Sequence, residues 1–223
     1  KDGMKYAMII HPPSFGQKLK SFDASEALGM PGIIDVFRFT SLEDEYKRTF
    51  FDTVTFTDLI AIVGNSTWEV MNAKKAVKVD YDVFESYEEN RDRFGREQIR
   101  SVPGGLENSD LQEEKMLEAS RSPTIQRKDG DPKAAFSRAS KIIERTYKAP
   151  FLAHNCMEPM NFFAHVDADK VFCAGPLQKP ELTEQTLSSR LGIPVENIEI
   201  EMTRLGGGYG RRSYAHWLIE AAV

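Results

Sequence analysis

Short apolar runs separated by turn residues dominate residues 1–82 and predict strands. Runs of this length, bounded by glycine, proline or charged residues, are typical of strands rather than of helices. The predicted strands are residues 4–10, 18–22, 33–39, 59–63 and 77–81. Together they indicate a compact α+β unit of about 80 residues, which is long enough to bury a core of its own.

Two short helices are predicted between these strands. Asp23 can cap a helix over residues 24–28, and Gly29 suits the C-terminal end of that helix. Ser66 and Glu69 have the spacing of a capping box, in which a hydroxyl and a carboxylate each satisfy a backbone N–H without a helical partner. This pattern predicts a second helix that ends at about residue 76.

Residues 83–128 differ in composition from the segment before them. They are rich in Glu, Arg, Asp, Gln and Ser, and a Pro-Gly-Gly sequence at 103–105 interrupts them. Apolar periodicity is weak except around Met116 and Leu117. We therefore predict a polar linker with one helical piece at most.

The remaining residues, 129–223, again show helix and strand patterns. Asp131 before Pro132 is typical of a helix start, with aspartate as the N-cap and proline at the first helical position. That helix is predicted to end near residue 139, and another is predicted over residues 181–191. The predicted strands are residues 141–147, 162–166, 170–174 and 198–204. The sequence thus predicts an α+β fold with two domains, 1–82 and 129–223, joined by the linker 83–128.

Composition excludes some classes of partner. Hydrophobic residues make up 41% and charged residues 28% of the 223 residues, as in ordinary globular proteins. No stretch approaches the roughly 20 apolar residues that cross a bilayer, so we expect no membrane insertion. The net charge is −5 and the Lys and Arg residues are dispersed, which argues against nucleic-acid binding.

The cysteines and the chain ends decide little about compartment. Cys156 and Cys173 fit no zinc-ligand spacing and do not form a disulfide framework. The chain begins at Lys1 and stops inside the apolar run 217–223, so we interpret it as a fragment of a longer protein. Such a fragment would not show a signal peptide, and localisation stays open between cytoplasm and periplasm.

The strongest functional signal is a glycine-rich loop after the predicted strand 198–204. Residues 206–212 have the sequence Gly-Gly-Gly-Tyr-Gly-Arg-Arg. Glycine has no Cβ and tolerates positive φ, so such a loop can turn consecutive N–H groups toward phosphate or oxo groups. Four glycines within residues 206–210 carry a high entropic cost for a turn that serves structure alone. We therefore predict a ligand-binding loop.

Two nucleotide-binding motifs do not fit this loop. The dinucleotide fingerprint G-x-G-x-x-G fails because Arg211 stands where the last glycine belongs. The ribose-binding acid, expected about 20 residues further on, would lie beyond Val223. A P-loop would need a Lys-Ser/Thr pair after the glycines. A non-catalytic module that captures an anion with the Gly206–Arg212 loop stays open as an alternative.

A second unusual segment spans residues 149–161. His154 and Glu158 have the spacing of a metal pair or an acid–base pair, but Pro159 breaks any helix that would present them together. We interpret both as residues that fix a turn by hydrogen bonding to the backbone. Gln178 is a further candidate, because it follows the predicted strand 170–174 in a loop where side-chain amides often bind ligands.

These motifs, in this order, resemble the molybdenum-binding large subunit of the xanthine dehydrogenase and aldehyde oxidase family. The likeness is greatest to the beta-subunit type that includes isoquinoline 1-oxidoreductase. Residues 153–161 look like the family's Ala-His-x-x-Met-Glu-Pro-Met-Asn motif, Gln178 like its strand-end glutamine, and residues 206–212 like its glycine loop. Residues 31–32, 63–68 and 77–80 look like parts of its a/b hammerhead domain.

The resemblance implies an a/b hammerhead-like domain over residues 1–82 and the first part of a mixed α/β molybdopterin-binding domain over residues 129–223. The cofactor would be molybdopterin cytosine dinucleotide with molybdenum, and Gln178 would hydrogen-bond an oxo group of the metal. Tyr209 and Arg211 would line the substrate pocket, and no side chain of this chain would ligate the metal. The cofactor-binding residues would be Gln178, Gly206, Gly207, Gly208, Tyr209 and Gly210.

The same resemblance implies groups outside this chain. The general-base glutamate of the family lies far downstream. Electrons would pass to an iron–sulfur small subunit with two [2Fe–2S] clusters, which two isolated cysteines do not ligate. The parent protein would oxidise aldehydes or N-heterocycles with water as the oxygen source, and the isolated chain would be inactive. Residues 211–213 replace the glycine, basic residue and glutamate of purine-oxidising relatives, which argues against purine substrates.

Overall fold

The computed structural model describes residues 2–41, 48–49, 52–53, 55–214 and 216–223. These residues form two compact units, one comprising residues 1–107 and 154–223 and the other residues 108–153. The helices and strands, in chain order, are β1 (Tyr6–Ile10), β2 (Gln17–Asp23), α1 (Ser25–Leu28), β3 (Ile33–Thr40), β4 (Arg48–Thr49), β5 (Asp58–Gly64), α2 (Thr67–Ala73), β6 (Lys78–Val83), β7 (Tyr87–Asp92), β8 (Glu97–Val102), α3 (Ser109–Ser120), α4 (Pro132–Arg138), β9 (Phe163–Val166), β10 (Val171–Gly175), α5 (Pro180–Leu191), β11 (Ile198–Met202) and α6 (His216–Ala222).

The first sheet of the larger unit is antiparallel and has the strand order β1-β5-β3. Its central strand β5 carries four consecutive buried residues, from Leu59 to Ile62. Because successive side chains of a strand point to opposite faces, β5 is buried on both faces. Strands β2 and β6 form a separate antiparallel pair. The five strands predicted within residues 1–82 are all confirmed.

Helices α1 and α2 cover this sheet and complete its core. α1 contacts β3, and α2 contacts β1 and β5. The predicted cap of α2 forms in part: Ser66 Oγ accepts the Glu69 N–H at 3.3 Å, while the Glu69 carboxylate accepts the Ser66 hydroxyl at 2.7 Å instead of a backbone N–H. α2 ends at Ala73, earlier than the predicted residue 76. The buried residues of this core are Leu19, Ala24, Ala27, Val36, Ile60, Ile62, Val70 and Ala73.

A β-hairpin lies in the segment that the sequence predicted as a linker. β7 pairs antiparallel with β8, and the turn between them closes with the Arg93 N–H donating to the Arg96 carbonyl at 2.8 Å. Phe94 and Gly95 both have positive φ, 55° and 79°, as a two-residue hairpin turn of type I′ requires. The predicted linker therefore contains two strands that the sequence did not indicate, together with the one helical piece that it did, α3. The strands of this hairpin carry charged residues on both faces, so they lack the apolar–polar alternation that identifies a strand from sequence.

The second sheet has the order β9-β10-β11. β10 pairs antiparallel with β9 and parallel with β11, and α5 connects the two parallel strands. α5 ends at Gly192, which has the left-handed φ of 67° that favours glycine at a helix end. Side chains from this sheet, α5 and α6 form a second core, whose buried residues are Val171, Cys173, Leu177, Leu187, Ile193, Ile198, Leu218, Ile219 and Ala222.

Polar contacts connect α5 and α6 to the first part of the larger unit. Arg190 of α5 binds the Asp52 carboxylate and donates to the Ser41 carbonyl oxygen. His11 Nε2 lies 2.8 Å from Glu220 Oε2 on α6. The two cores of this unit are therefore connected by hydrogen bonds and by the Arg190–Asp52 ion pair.

The smaller unit, residues 108–153, contains α3 and α4. Asp131 Oδ1 accepts the Ala134 N–H at 3.1 Å, which confirms the predicted cap of α4. The structure describes residues 141–147 but gives them no strand, so that prediction was wrong. Their apolar side chains are exposed, and within this unit the described residues offer no strand edge with which they could pair.

The predicted domain limits at residues 82 and 128 stay predictions. Within the described ranges, no helix is long and apolar enough to cross a membrane. Both cysteines carry free thiols, with Cys173 buried in the second core and Cys156 half-buried.

Candidate functional site

Three segments meet at one end of the second sheet. β10 and β11 are parallel neighbours, so the loops that follow them start at the same sheet edge, where ligands bind in many α/β proteins. The Thr203 N–H donates to the Gly175 carbonyl at 3.1 Å and ties the two loop starts together. The third segment, residues 154–161, precedes β9 and contacts the glycine loop through Glu158. Gln178 and the glycine loop, predicted separately from sequence, are therefore adjacent.

The carbonyl oxygens of the four glycines in the loop are occupied by donors of the protein itself. These donors come from the loop, from the turn that follows it and from the segment 154–161. The four bonds are Glu158 N–H to Gly206 O (3.2 Å), Arg212 Nε–H to Gly207 O (2.9 Å), Arg211 N–H to Gly208 O (2.9 Å) and Ser213 N–H to Gly210 O (3.1 Å).

Three consecutive N–H groups of the same loop stay available. Those of Gly207, Gly208 and Tyr209 donate to no acceptor within the part of the chain that the structure describes. The loop holds this arrangement with positive φ at Gly207 (105°), Tyr209 (53°) and Gly210 (87°). Changes of backbone hand between neighbouring residues turn successive N–H groups toward one side, which makes an anion-binding nest.

The side-chain amide of Gln178 completes this row of donors. Its Oε1 accepts the Gly210 N–H at 3.1 Å. An N–H only donates, so the oxygen of the amide must face Gly210 and the NH₂ group must face away. Nε2 donates to none of the described residues and is free for a ligand. Gly208 approaches this amide so closely that a Cβ on it would lie 2.8 Å from Gln178 Cδ.

Glu158 ties the segment 154–161 to the glycine loop. Its Oε2 accepts the Gly206 N–H at 2.8 Å, and its Oε1 accepts the Asn161 Nδ2–H at 3.1 Å. These bonds, the one from Gly206 first, hold the pKa of the Glu158 carboxyl below its ordinary value. The predicted role of Glu158 as a residue that fixes a turn through the backbone is confirmed. His154 contributes its main-chain carbonyl, which accepts from Arg211 Nη1 at 3.3 Å, while its side chain is exposed.

Arg212 is a buried arginine at the back of the loop. Its side chain is 0% exposed, and its Nη2 lies 3.1 Å from Glu158 Oε2. The guanidinium also donates to three carbonyl oxygens, those of Gly207, Pro176 and Glu158. The predicted anion-binding alternative included Arg212 in the loop that captures the anion, but its guanidinium is occupied by groups of the protein itself.

Tyr209 and Arg211 are the two loop residues expected to face a substrate. Tyr209 is 70% exposed, so its ring is not packed into the protein. Arg211 is half-buried, and its Nε lacks an acceptor among the described residues. Within the same residues, no group of three or more His, Cys, Asp or Glu side chains could hold a metal ion. A ligand at this site would therefore meet N–H donors and a tyrosine ring rather than metal-ligating side chains.

Residues 114–223 match the family model of the molybdopterin cofactor-binding domain. This range contains the glycine loop, Gln178, Glu158 and Arg212. The chemistry of the site therefore agrees with this family match. A cofactor that carries anionic and oxo groups needs hydrogen-bond donors of the kind that the loop presents.

Curated relatives are aldehyde-oxidising proteins. The chain is 26% identical to the membrane-bound aldehyde dehydrogenase [pyrroloquinoline-quinone] of Gluconacetobacter polyoxogenes, covering all of this chain and 26% of that protein. It is 27% identical to aldehyde oxidase 4 of Rattus norvegicus over 86% of this chain and 14% of the relative. A stretch of 85 residues is 34% identical to the aldehyde oxidoreductase molybdenum-binding subunit PaoC of Escherichia coli, covering 38% of this chain and 12% of that subunit. The chain thus spans about a quarter or less of these relatives.

Solved structures of two oxidoreductases share the fold. Quinoline 2-oxidoreductase from Pseudomonas putida superposes with a TM-score of 0.55 at 14% identity, covering 95% of this chain and 28% of that one. Aldehyde oxidoreductase from Desulfovibrio gigas superposes with a TM-score of 0.56 at 16% identity, covering 99% of this chain and 26% of that one. The predicted α+β fold class is confirmed. The predicted resemblance to the molybdenum-binding family that includes xanthine dehydrogenase and aldehyde oxidase is confirmed, and residues 114–223 belong to the molybdopterin cofactor-binding domain family.

Proposed function

We propose that this chain supplies one wall of the cofactor site in a molybdenum hydroxylase. The observation that carries the proposal is the division of polar groups in the glycine loop. The carbonyl oxygens of Gly206, Gly207, Gly208 and Gly210 accept hydrogen bonds from the protein, whereas three consecutive N–H groups do not donate within the described chain. A loop whose glycine carbonyl oxygens are already bonded, and whose N–H groups are free, suits oxo and anionic groups of a cofactor.

The residues present fit such a cofactor. Nε2 of Gln178 is a free donor for an oxo group, and the N–H groups of Gly207, Gly208 and Tyr209 are free donors beside it. Gly206 and Gly210 shape the loop, and the exposed Tyr209 ring and Arg211 would line the substrate side. When bound, the cofactor supplies the oxidation of substrate, while these residues bind and orient it.

Further features follow from the family and are part of the proposal. The cofactor is molybdopterin cytosine dinucleotide, and a partner subunit with two [2Fe–2S] clusters accepts the electrons. A glutamate outside this chain is the general base, and the substrate is an aldehyde or an N-heterocycle that is oxidised with water. The names of the relatives, which include aldehyde oxidases and an aldehyde oxidoreductase, support an aldehyde substrate.

The alternative is a non-catalytic module that binds an anion with the Gly206–Arg212 loop. The specific observation in its favour is that the three free N–H groups would bind phosphate as readily as an oxo ligand. One relative is also named for pyrroloquinoline quinone rather than for molybdenum. The match of residues 114–223 to the molybdopterin-binding family favours the hydroxylase.

Cofactor content tests the proposal directly. We would produce the gene product that includes this chain in cells that synthesise the cofactor, then quantify molybdenum and the cytidine monophosphate that acid hydrolysis releases. The proposal expects both in equal amounts. Metal-free protein that binds inorganic phosphate would favour the anion-binding module, and aldehyde oxidation by the isolated 223 residues would contradict their predicted inactivity.

Substitution of Gln178 tests the role of the free amide. Gln178→Ala removes one preorganised donor, so we expect aldehyde turnover to fall roughly 100-fold, as when an oxyanion donor is lost. The matched control is Gln185→Ala, which changes an exposed glutamine of α5. Equal turnover of the two variants would remove Gln178 from the site.

A further inference from the structure

Arg212 connects all three segments that form the site. Its Nε–H donates to Gly207 O at 2.9 Å, its Nη1 to Pro176 O at 3.2 Å and its Nη2 to Glu158 O at 2.9 Å. The three acceptors belong to the glycine loop, to the loop that carries Gln178 and to the segment 154–161. A single side chain therefore sets the distances among these segments.

Glu158 is the counter-charge of this arginine and a second link to the loop. Its Oε2 lies 3.1 Å from Arg212 Nη2 and 2.8 Å from the Gly206 nitrogen that donates to it. A fully buried guanidinium is costly without a carboxylate close by. The pair is therefore stable only when the segment 154–161 lies against the glycine loop.

The main chain of Arg212 fixes Gln178 as well. The Gln178 N–H donates to the Arg212 carbonyl oxygen at 2.9 Å, and the Arg212 side chain binds Pro176 on the other side of Leu177. The segment that carries Gln178 is thus held at two points. The Gln178 side chain can therefore keep its oxygen on the Gly210 N–H and its NH₂ group free.

We propose that Arg212 and Glu158 are positioning residues, which bind the inward-facing backbone groups of the site so that its N–H donors stay available to a ligand. Both residues act through the loop rather than by touching the ligand. This inference rests on the proposed ligand-binding role of the loop. It adds that the loop needs an arginine at position 212, because a planar guanidinium reaches three acceptors at once and a lysine ammonium does not hold that geometry.

A titration of the ¹⁵N-labelled chain with sodium molybdate tests the inference. The amide resonances of Gly207, Gly208 and Tyr209 report binding of the oxyanion. We expect Arg212→Lys to weaken the apparent affinity about tenfold, which corresponds to the loss of one to two charge-assisted hydrogen bonds. Glu158→Gln keeps an acceptor for the Gly206 N–H, so it should weaken the affinity for molybdate less than Arg212→Lys does. The matched controls, Arg204→Lys and Glu201→Gln, change exposed residues and should bind molybdate like the wild type.

A measurement without ligand separates positioning from folding. The Gly206 amide shift should titrate with the Glu158 carboxyl, whose pKa lies below the ordinary value of 4.5. Arg212→Lys should move that inflection to higher pH, and Glu158→Gln should abolish it, with the β10 and β11 resonances of both variants unchanged. An unchanged inflection in Arg212→Lys, with wild-type Gly207 and Gly208 resonances, would overturn the inference. If the wild-type chain does not bind molybdate, the proposed ligand-binding role of the loop would be overturned instead. The pH titration would still test whether Arg212 and Glu158 position the loop.

Discussion

Arg190 and Asp52 form a two-pronged ion pair whose side chains are almost completely buried. Nε lies 2.9 Å from Oδ2 and Nη2 lies 3.3 Å from Oδ1, and the side chains are 4% and 0% exposed. Arg190 also donates to the Ser41 carbonyl oxygen. The pair therefore holds α5, which starts directly after the Gln178 loop, against the first part of the larger unit.

Removal of one partner of this pair should destabilise the chain strongly. Arg190→Met leaves the Asp52 carboxylate buried without its arginine, so we expect the free energy of unfolding to fall by about 3 kcal/mol in urea titrations. The control is Arg38→Met, because Arg38 forms a 2.6 Å pair with Asp58 that is much more exposed. That change should cost less than about 1 kcal/mol. Equal losses for the two variants would show that burial of the Arg190 pair is unimportant.

Addition of one methyl group at position 208 should prevent the glycine loop from binding its ligand. In Gly208→Ala the new Cβ would lie 2.8 Å from Gln178 Cδ and Oε1, so the amide must leave its bond with the Gly210 N–H. We expect a displaced Gly210 amide resonance and loss of most of the bound molybdenum. Gly29→Ala is the control, because Gly29 has ordinary helical φ and its nearest atoms lie 3.5 Å away. Retention of molybdenum by Gly208→Ala would contradict a close approach of this loop to the cofactor.

His216 should make stability depend on pH. Burial lowers the pKa of His216 below 6.5, and the positive charges of Arg211 and His11 lower it further. The negative charge of Glu220 opposes this shift. The unfolded chain therefore takes up a proton near pH 6.5 while the folded chain does not. Stability from this group is complete above that pH and is lost as the pH falls toward the lowered pKa.

Denaturation from about pH 8 to about pH 5 measures this effect. His216→Phe should flatten the curve, removing a slope of at most about 1.4 kcal/mol per pH unit, since one proton is involved. Nδ1 of His216 has no partner among the described residues, so the substitution breaks no hydrogen bond at that atom. His165→Phe changes an exposed histidine and should keep the wild-type slope. A His216→Phe curve as steep as the wild-type curve would place the responsible group elsewhere.

The two thiols should differ in reactivity. Burial raises the pKa of Cys173 to about 11, so its thiolate is scarce at neutral pH. Cys156 is half-buried, and its Sγ lies 3.7 Å from the Gly208 carbonyl oxygen. Ellman's reagent should modify Cys156 rapidly and Cys173 only on unfolding. Rapid modification of a Cys156→Ser variant would contradict this order.

Local signals in the sequence were sufficient to predict those elements and site residues whose burial or chemistry leaves a clear pattern. β5 was predictable because a run of apolar residues marks a strand buried on both faces. The end of α5 was predictable because Gly192 adopts a backbone conformation that glycine favours. The glycine loop and Gln178 were predictable as separate motifs, and the parallel pairing of β10 with β11 accounts for their proximity.

Other features depend on contacts that sequence spacing does not encode. The hairpin β7–β8 is held by backbone pairing and its turn, and its exposed charged faces carry no periodic signal. Residues 141–147 are rich in the β-branched and aromatic residues that strands favour, but a strand also needs a neighbouring strand, which composition does not supply. The role of Arg212 depends on three carbonyl oxygens, the farthest of them 54 residues away in the chain.

The attachment of the glycine loop to α6 has a consequence for the thermodynamics of ligand binding. Arg212 is buried at one end of this connection, and Leu218 and Ile219 of α6 are buried in the second core at the other. The loop is therefore ordered when the core folds, before any ligand arrives. Binding to such a preorganised site carries little conformational entropy loss, so more of the interaction energy with the ligand appears as affinity.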